Sequence, residues 1–219
     1  MMKRIIFDRY ERIKAITKGK SVLDLGCVDH SLMSRDRSVW LHDVLRSSAS
    51  LCVGVDYEKK AVETLQKEGY EVYWGDVEAI NLGRRFDVVV AGELIEHLPN
   101  PGRLLATVFR HLNENGVLIL TTPNASGLFY FLGNLCFGSE RDNEDHCLMF
   151  TQCTLAKLLD KCGFEILEAK YILGWVPQGH VSSFIRLLAW VKNIAKAPLY
   201  LLFPTLCHRL LVVARPKAV

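Results

Sequence analysis

Cysteine pairs of the CxxC type, a long apolar run in the first ten residues and a strongly basic charge are all missing from this sequence of 219 residues. The seven cysteines are scattered, odd in number and without a CxxC pair, which favours reduced thiols over a zinc knuckle. Residues 1–10 lack the apolar core of a secretion signal. The net charge of +3 is too small to indicate a nucleic-acid groove. We therefore expect a cytoplasmic globular protein with one domain.

The glycine pattern GxGxxG, which places backbone amides on a pyrophosphate at a helix N-terminus, is also absent. The loop that follows the first apolar run has a single glycine, Gly26, and acids stand where they would repel a diphosphate. The sequence therefore disfavours a nicotinamide-dependent dehydrogenase.

Short apolar runs alternate with helical segments, which predicts a mostly parallel sheet covered by helices. Pro101 lies in the first turn of one predicted helix, and Thr151 takes the cap position of another. Residues 125–150 show no clear helix period. The predicted strands are 21–26, 51–56, 70–74, 86–91, 117–121, 164–171 and 209–214, and the predicted helices are 8–18, 40–48, 58–68, 101–112 and 151–162.

Three acids, Asp24, Asp56 and Asp76, each stand where a predicted strand gives way to a polar segment. The carboxyl ends of parallel strands form the ligand crevice of an open α/β sheet, so the three acids are expected to face one ligand. Acids at such places also cap the following helix, and one acid alone is explained equally well in that way. Three together favour a nucleoside with hydroxyls, an amine and positive charge, a description that S-adenosylmethionine fits.

Five segments in order carry a resemblance to a known family: DLGC, VGVDYEKKAVETL, GDVEAI, FDVVVAGELIEHLPNPGRLL and NGVLILTTPN. The set resembles the class I, seven-β-strand S-adenosylmethionine-dependent methyltransferases, and is most similar to the branch of the ubiquinone-pathway O-methyltransferases. The resemblance covers residues 22–170 and the last strand. It implies a Rossmann-like three-layer α/β sandwich with strand order 3-2-1-4-5-7-6 and strand 7 antiparallel. It also implies one domain over 1–219, with variable cap or acceptor segments at about 125–150 and 175–206.

The resemblance assigns the cofactor site residue by residue. Asp24 and Gly26 are expected beside the methionine portion, Asp56 at the ribose hydroxyls and Asp76 at the adenine amine. The remaining expected contacts are Cys27, Tyr57, Val77 near the ring, and Ala91 and Gly92 at the sulfonium.

One departure concerns the first loop, which the family usually writes DxGxGxG. Val28 and His30 stand here where glycines are expected, so the loop must follow another path. A cofactor-binding protein without activity therefore stays open as an alternative.

The segment Glu93-Leu94-Ile95-Glu96-His97 carries the expected chemistry. If the acceptor is a hydroxyl of a small or amphipathic metabolite, such as a quinone precursor, glycolipid or saccharide, His97 is the candidate base and Glu93 a further catalytic candidate. Glu93, Glu96, His97 and His146 are also candidate ligands of Mg²⁺ or Mn²⁺. This set of candidate ligands resembles that of the small-RNA 3′-terminal 2′-O-methyltransferases. Metal-assisted methylation of an RNA 3′-terminal ribose is therefore the alternative function. A third reading is that Glu96 and His97 only shape the loop before the next helix.

Residues 183–206 are rich in Leu, Phe, Trp and Tyr, but basic residues and two prolines interrupt them. A membrane-spanning helix needs about 20 nearly uninterrupted apolar residues, so we do not expect one. A helix at the membrane surface, a lid over a lipid-like acceptor and a homodimer contact all remain open. The expected partner is a small-molecule acceptor, and the chain lacks the basic stripe that a nucleic acid would require.

Overall fold

An eight-stranded sheet lies at the centre of the molecule in a computed structural model that describes residues 5–28, 40–137, 143–173 and 197–217. Several strands are buried on both faces; Val22 and Leu23, for example, have no exposed surface. The strands are β1 (Ile5–Ile6), β2 (Ser21–Leu25), β3 (Leu51–Asp56), β4 (Val72–Trp74), β5 (Phe86–Gly92), β6 (Leu112–Pro123), β7 (Phe164–Ile172) and β8 (Arg209–Pro216).

The strand order is β1-β7-β8-β6-β5-β2-β3-β4. Without β1 this is the predicted order read from the opposite edge, and β8 runs antiparallel to both β6 and β7 as expected. The predicted fold class is therefore confirmed, with one correction: the described residues form eight strands and not seven. The additional strand pairs Ile5 with Tyr171 and Ile6 with Ile172 in parallel.

Helices cover both faces of the sheet. They are α1 (Arg9–Thr17), α2 (Leu41–Ser48), α3 (Lys59–Lys67), α4 (Pro101–His111), α5 (Leu128–Phe137) and α6 (Gln152–Lys161). Ile13 of α1 and Leu45 of α2 pack with Val22 and Val88 on one face. Leu104 and Leu105 of α4, with Leu155 and Leu159 of α6, pack in the larger core on the other face.

Local signals fix the helix ends. Asp8 caps α1 by accepting from the amide of Tyr10 at 2.8 Å, and Gly19, with φ +70°, follows its end. Thr151 and Thr154 form a reciprocal capping box at α6. Pro101 occupies the first turn of α4 as predicted.

The segment after β6 differs from its prediction, because residues 128–137 form a helix where no period was apparent. The sequence of α5 is LFYFLGNLCF, which is apolar on all sides and therefore gives no amphipathic pattern. Residues 197–202 are also helical. The segment that follows them is attached to the end of β6, because Asn124 donates from Nδ2 to the carbonyls of Thr205 and Cys207 at 2.8 and 2.7 Å. The end of β6 therefore lies beside the segment that follows residues 197–202.

None of the helices in the described ranges has the length and apolar character that a bilayer crossing requires. The segment 183–206 was left open as a membrane-surface helix, a lid over the acceptor or a dimer contact, and its residues 183–196 lie outside the described ranges. Residues 138–142 of the first cap segment also lie outside them.

Candidate functional site

A cavity of about 800 Å³ opens at the carboxyl edge of β2, β3 and β5. This volume is within the usual range for small-molecule sites. Of the predicted cofactor contacts, Asp24, Gly26, Cys27, Asp56, Tyr57, Asp76, Val77 and Gly92 line it. Ala91 is not among the lining residues, and its side chain is fully buried in β5 and packs in the core.

The part of the cavity beside β2, β3 and β4, here called the acid half, contains Asp24, Asp56 and Asp76. Asp56 is almost completely buried, and its two carboxylate oxygens accept hydrogen bonds from the backbone amides of Glu58 and Val28, both at 2.9 Å. Burial raises the pKa of this carboxyl, while the two amide bonds lower it. Asp76 is exposed and caps a turn through Oδ1, which accepts from Glu78 at 2.8 Å. The capping role and a ligand-binding role are compatible, because a carboxylate has about four acceptor positions.

The first loop shows how the chain closes without the usual glycines. Gly26 has φ +75°, which favours glycine, and a Cβ there would lie 2.9 Å from Cδ1 of Leu94, so the end of that side chain would have to shift. Val28 then donates its amide to Asp56, and Trp40 donates from Nε1 to the carbonyl of Cys27 at 2.7 Å. The other altered position, His30, lies outside the described ranges.

A buried histidine under the acid half was not found from the sequence. Nδ1 of His42, on α2, lies 2.9 Å from Oδ2 of Asp24, and both side chains are almost fully buried. Burial raises the pKa of Asp24, while the bond to His42 and the charge of that imidazole lower it. Asp24 is thus turned toward α2, and the helical pattern alone could not show which polar residue would meet it.

The opposite part of the cavity, here called the arginine half, contains Arg9, Glu93 and Arg209. Oε1 of Glu93 lies 3.2 Å from Nη1 of Arg9, and Oε2 accepts from Nε of Arg209 at 2.7 Å. Burial alone would raise the pKa of Glu93, but the two guanidinium charges outweigh it and hold that pKa below its ordinary value. Glu93 is therefore an ion-paired carboxylate. The sequence analysis missed both arginines.

Glu96, His97 and His146 form a compact cluster on the same cavity, with their potential ligand atoms all within 4.8 Å of one another. Oε2 of Glu96 accepts from Thr122 at 2.9 Å, whereas Oε1 is buried without a hydrogen-bond partner among the described residues. Burial, and then the charge of Glu93, raises the pKa of Glu96 to about 8. Of the four predicted candidate ligands, the structure brings these three together, whereas Glu93 is ion-paired to the arginines.

A family profile described as "Methyltransferase domain" matches residues 1–169. The chain belongs to this methyltransferase family. A ubiquinone biosynthesis O-methyltransferase of Rickettsia prowazekii is 26% identical over 140 residues, 60% of this chain and 43% of that protein. The chain spans about half the length of the first curated relatives it matches, 56% and 43% of two of them.

Solved structures share the fold. An S-adenosylmethionine-dependent methyltransferase from Archaeoglobus fulgidus has a TM-score of 0.59 at 18% identity, covering 94% of this chain and 93% of that chain. The small RNA methyltransferase HEN1 has a TM-score of 0.61 at 18% identity, covering 96% of this chain and 25% of that chain. The predicted resemblance to S-adenosylmethionine-dependent methyltransferases is confirmed: the profile shows the methyltransferase family, and the solved structures share its fold.

The donor set of the cavity fits that cofactor. Carboxylates suit its ribose hydroxyls, its adenine amine and its positive charge, and Gly26 lines the same cavity. A diphosphate would be repelled by the carboxylates of the acid half.

Proposed function

We propose that this methyltransferase transfers the methyl group of S-adenosylmethionine to a hydroxyl oxygen of a small or amphipathic metabolite. The observation that supports this most is one cavity that contains both the acid half and His97. A cofactor held by the acids would have an imidazole near its acceptor, in the segment that directly follows Gly92. Transfer to oxygen needs such a group, because a hydroxyl must lose its proton as it is methylated.

When bound, S-adenosylmethionine supplies an electrophilic methyl group on a sulfonium. In this proposal Asp56 binds the ribose hydroxyls, Asp76 the adenine amine, and Gly26 and Gly92 let the backbone approach the ligand closely. Since the leaving group is good, the main task of the protein is to align the acceptor and exclude water.

His97 is the proposed base. Its Nδ1 lies 3.1 Å from the carbonyl oxygen of Asp145, which can only accept a hydrogen bond, so in the neutral imidazole Nδ1 carries the hydrogen. Nε2 is then the nitrogen that can take the acceptor's proton. Glu93, which the sequence suggested as a second catalytic residue, is in this proposal a positioning residue because it is ion-paired to two arginines.

Exposed apolar side chains at the cap end support an amphipathic acceptor. Tyr130 of α5 lines the cavity, and Phe131 and Leu135 of the same helix are more than half exposed. Leu202 and Phe203, just before the residues that Asn124 binds, are also more than half exposed. An apolar tail of an acceptor, or a membrane surface, would find its contact here.

The experiment that tests the proposal is incubation of the purified protein with methyl-labelled S-adenosylmethionine and fractionated cell extract. We expect label in methyl ethers of small molecules. Label on nitrogen, in protein or in nucleic acid would contradict the proposal. In the same assay His97→Ala should lower turnover at least about 100-fold, the usual contribution of a general base, with little change in cofactor affinity.

A metal-assisted form of the reaction is the second candidate, favoured by the cluster of Glu96, His97 and His146. A buried carboxylate oxygen without a partner and two imidazoles suit Mg²⁺ or Mn²⁺ as mixed oxygen and nitrogen ligands. The ion would polarise the acceptor's hydroxyl groups. A ribose with adjacent hydroxyls, as at the 3′ end of RNA, is one acceptor of this kind.

Chelation separates the two candidates. In the metal-assisted case EDTA abolishes transfer, Mg²⁺ or Mn²⁺ restores it, and His146→Ala raises the metal concentration that is needed. Full activity in EDTA would support the metal-independent reaction, in which His97 is the base. A 3′-terminal RNA oligonucleotide, its 2′-deoxy counterpart and a catechol in parallel reactions identify the acceptor class.

A further inference from the structure

Arg209 stands at the carboxyl edge of the sheet because β8 is antiparallel. As the first residue of β8 it is opposite Pro123, the last residue of β6, and it lines the cavity in the arginine half. Its contact to Glu93 is made through Nε. A guanidinium has a second edge formed by its two Nη atoms, and among the described residues these make no hydrogen bond or ion pair.

Glu93, which accepts a hydrogen bond from Nε of this arginine, has a strained backbone conformation. It is the only residue other than glycine with positive φ in the described ranges, at +51°. Its amide donates to the carbonyl of Thr121 at 2.9 Å and to Oγ1 of the same residue at 3.2 Å. Such strain persists where the surroundings fix it, often at functional sites. Here the turn places the carboxylate between Arg9 and Arg209.

The charges of this group do not cancel. Two guanidinium groups share one carboxylate, which leaves a net charge of +1 on the wall of the arginine half. Arg209 keeps about a third of its side chain exposed, so its open edge is reachable from the cavity. The acid half suits a cation, and the arginine half suits an anion.

We propose that Arg209, fixed by Glu93, binds a carboxylate or phosphate group of the acceptor and so selects anionic hydroxyl compounds. This inference rests on the proposed O-methylation and adds the substrate class. The open Nη edge has the fork geometry that binds either oxyanion in a bidentate manner.

Calorimetric titration of the complex with S-adenosylhomocysteine tests the proposal using three probes. They are 3,4-dihydroxybenzoate, its neutral counterpart 3,4-dihydroxybenzamide, and 3,4-dihydroxybenzylphosphonate. We expect the wild-type protein to bind at least one of the two anions about 10- to 100-fold more tightly than the amide, the range for charge-assisted hydrogen bonds. The anion that gains more identifies the source of the charge.

Arg209→Gln should remove this preference, and Arg209→Lys should retain only part of it, because an ammonium lacks the fork. The matched control is Arg215→Gln, which removes another arginine of β8 that is ion-paired to Glu165 and does not line the cavity. It should keep the preference. Retained binding of S-adenosylhomocysteine by Arg209→Gln verifies its fold.

Equal binding of the acids and the amide by the wild-type protein, including no binding of any, would overturn the inference. An acid preference that survives in Arg209→Gln would do the same. Failure of the proposed function would be distinct, since label would then reach nitrogen or a macromolecule, whereas failure of this inference leaves O-methylation in place without acid preference.

Discussion

The imidazole of His42 contacts the carboxylate of Asp24, with Nδ1 and Oδ2 2.9 Å apart and both side chains almost fully buried. This pair connects α2 to β2 beneath the acid half. A carboxylate without its partner at this depth is strongly destabilising, so His42 determines how Asp24 can be accommodated at all.

His42→Phe tests this dependence. Phenylalanine keeps the ring contacts with Trp40 and Tyr70 but cannot donate to Asp24, and we expect a loss of about 3 kcal/mol in the free energy of unfolding by urea. His42→Asn can donate from roughly the position of Nδ1 and should lose less. Equal losses in the two variants would mean that packing, and not the bond to Asp24, is what His42 contributes.

Asp56→Asn tests the acid half as the cofactor site. Removal of the charge weakens hydrogen bonds from the ribose hydroxyls, and the expected loss in affinity for S-adenosylmethionine and S-adenosylhomocysteine is about 10- to 100-fold by calorimetry. Asp160→Asn, on the surface of α6 and away from the cavity, is the matched control. Unchanged affinity in Asp56→Asn would remove this carboxylate from the cofactor site. Failure of the wild-type protein to bind either compound would contradict the cofactor assignment itself, whereas binding without methyl transfer would favour the alternative of a cofactor-binding protein without activity.

The acid half could be predicted from the sequence because its positions are set by topology. A short apolar run that ends in an acid identifies both a buried strand and its carboxyl end, and parallel strands bring those ends together. Asp24, Asp56 and Asp76 therefore needed no knowledge of side-chain packing to be placed on one cavity. The strand order followed from the resemblance, which the order of five segments carries.

The parts that were missed depend on contacts between distant or patternless segments. Strand β1 has only two residues, too few for a period. Arg9 and Arg209 are 200 residues apart, and only the fold brings both to Glu93. His42 is one of several polar residues on α2, and the buried Asp24 opposite it is what distinguishes it. These are tertiary relationships, which a local pattern does not contain.

The pH dependence of stability can be tested at Asp87. Hydrogen bonds from the amide and hydroxyl of Ser21 (2.9 and 2.7 Å), and then from Asn113, hold the pKa of Asp87 below its ordinary value. A depressed folded pKa stabilises the protein above the unfolded pKa of about 4, and this stabilisation is lost as pH falls through the folded pKa. We expect Asp87→Asn to cost about 1–2 kcal/mol at pH 7 in urea unfolding. The difference from wild type should shrink below pH ~4.

An exposed carboxylate provides the comparison for that experiment. Glu63 on α3 is exposed, and Glu63→Gln should leave the stability of the protein nearly unchanged at both pH values. A difference between wild type and Asp87→Asn that stays constant from pH 7 to pH 3 would show that the charge of Asp87 does not act through these bonds.

Two glycines with nearly equal φ allow the effect of backbone strain on stability to be separated from the effect of site geometry on cofactor binding. Gly26 and Gly19 have φ of +75° and +70°, so alanine at either position should cost about 1–2 kcal/mol of stability through the backbone alone. A Cβ at Gly19 meets nothing within 4 Å, whereas at Gly26 it meets Leu94, which lines the cavity. Both variants should therefore lose similar stability in urea unfolding, but only Gly26→Ala should also bind S-adenosylhomocysteine more weakly, by about tenfold or more if the displaced Leu94 costs about 1.4 kcal/mol of binding. If Gly19→Ala weakens binding equally, the effect comes from general destabilisation; if neither weakens it, the close approach at Gly26 is not part of the cofactor site.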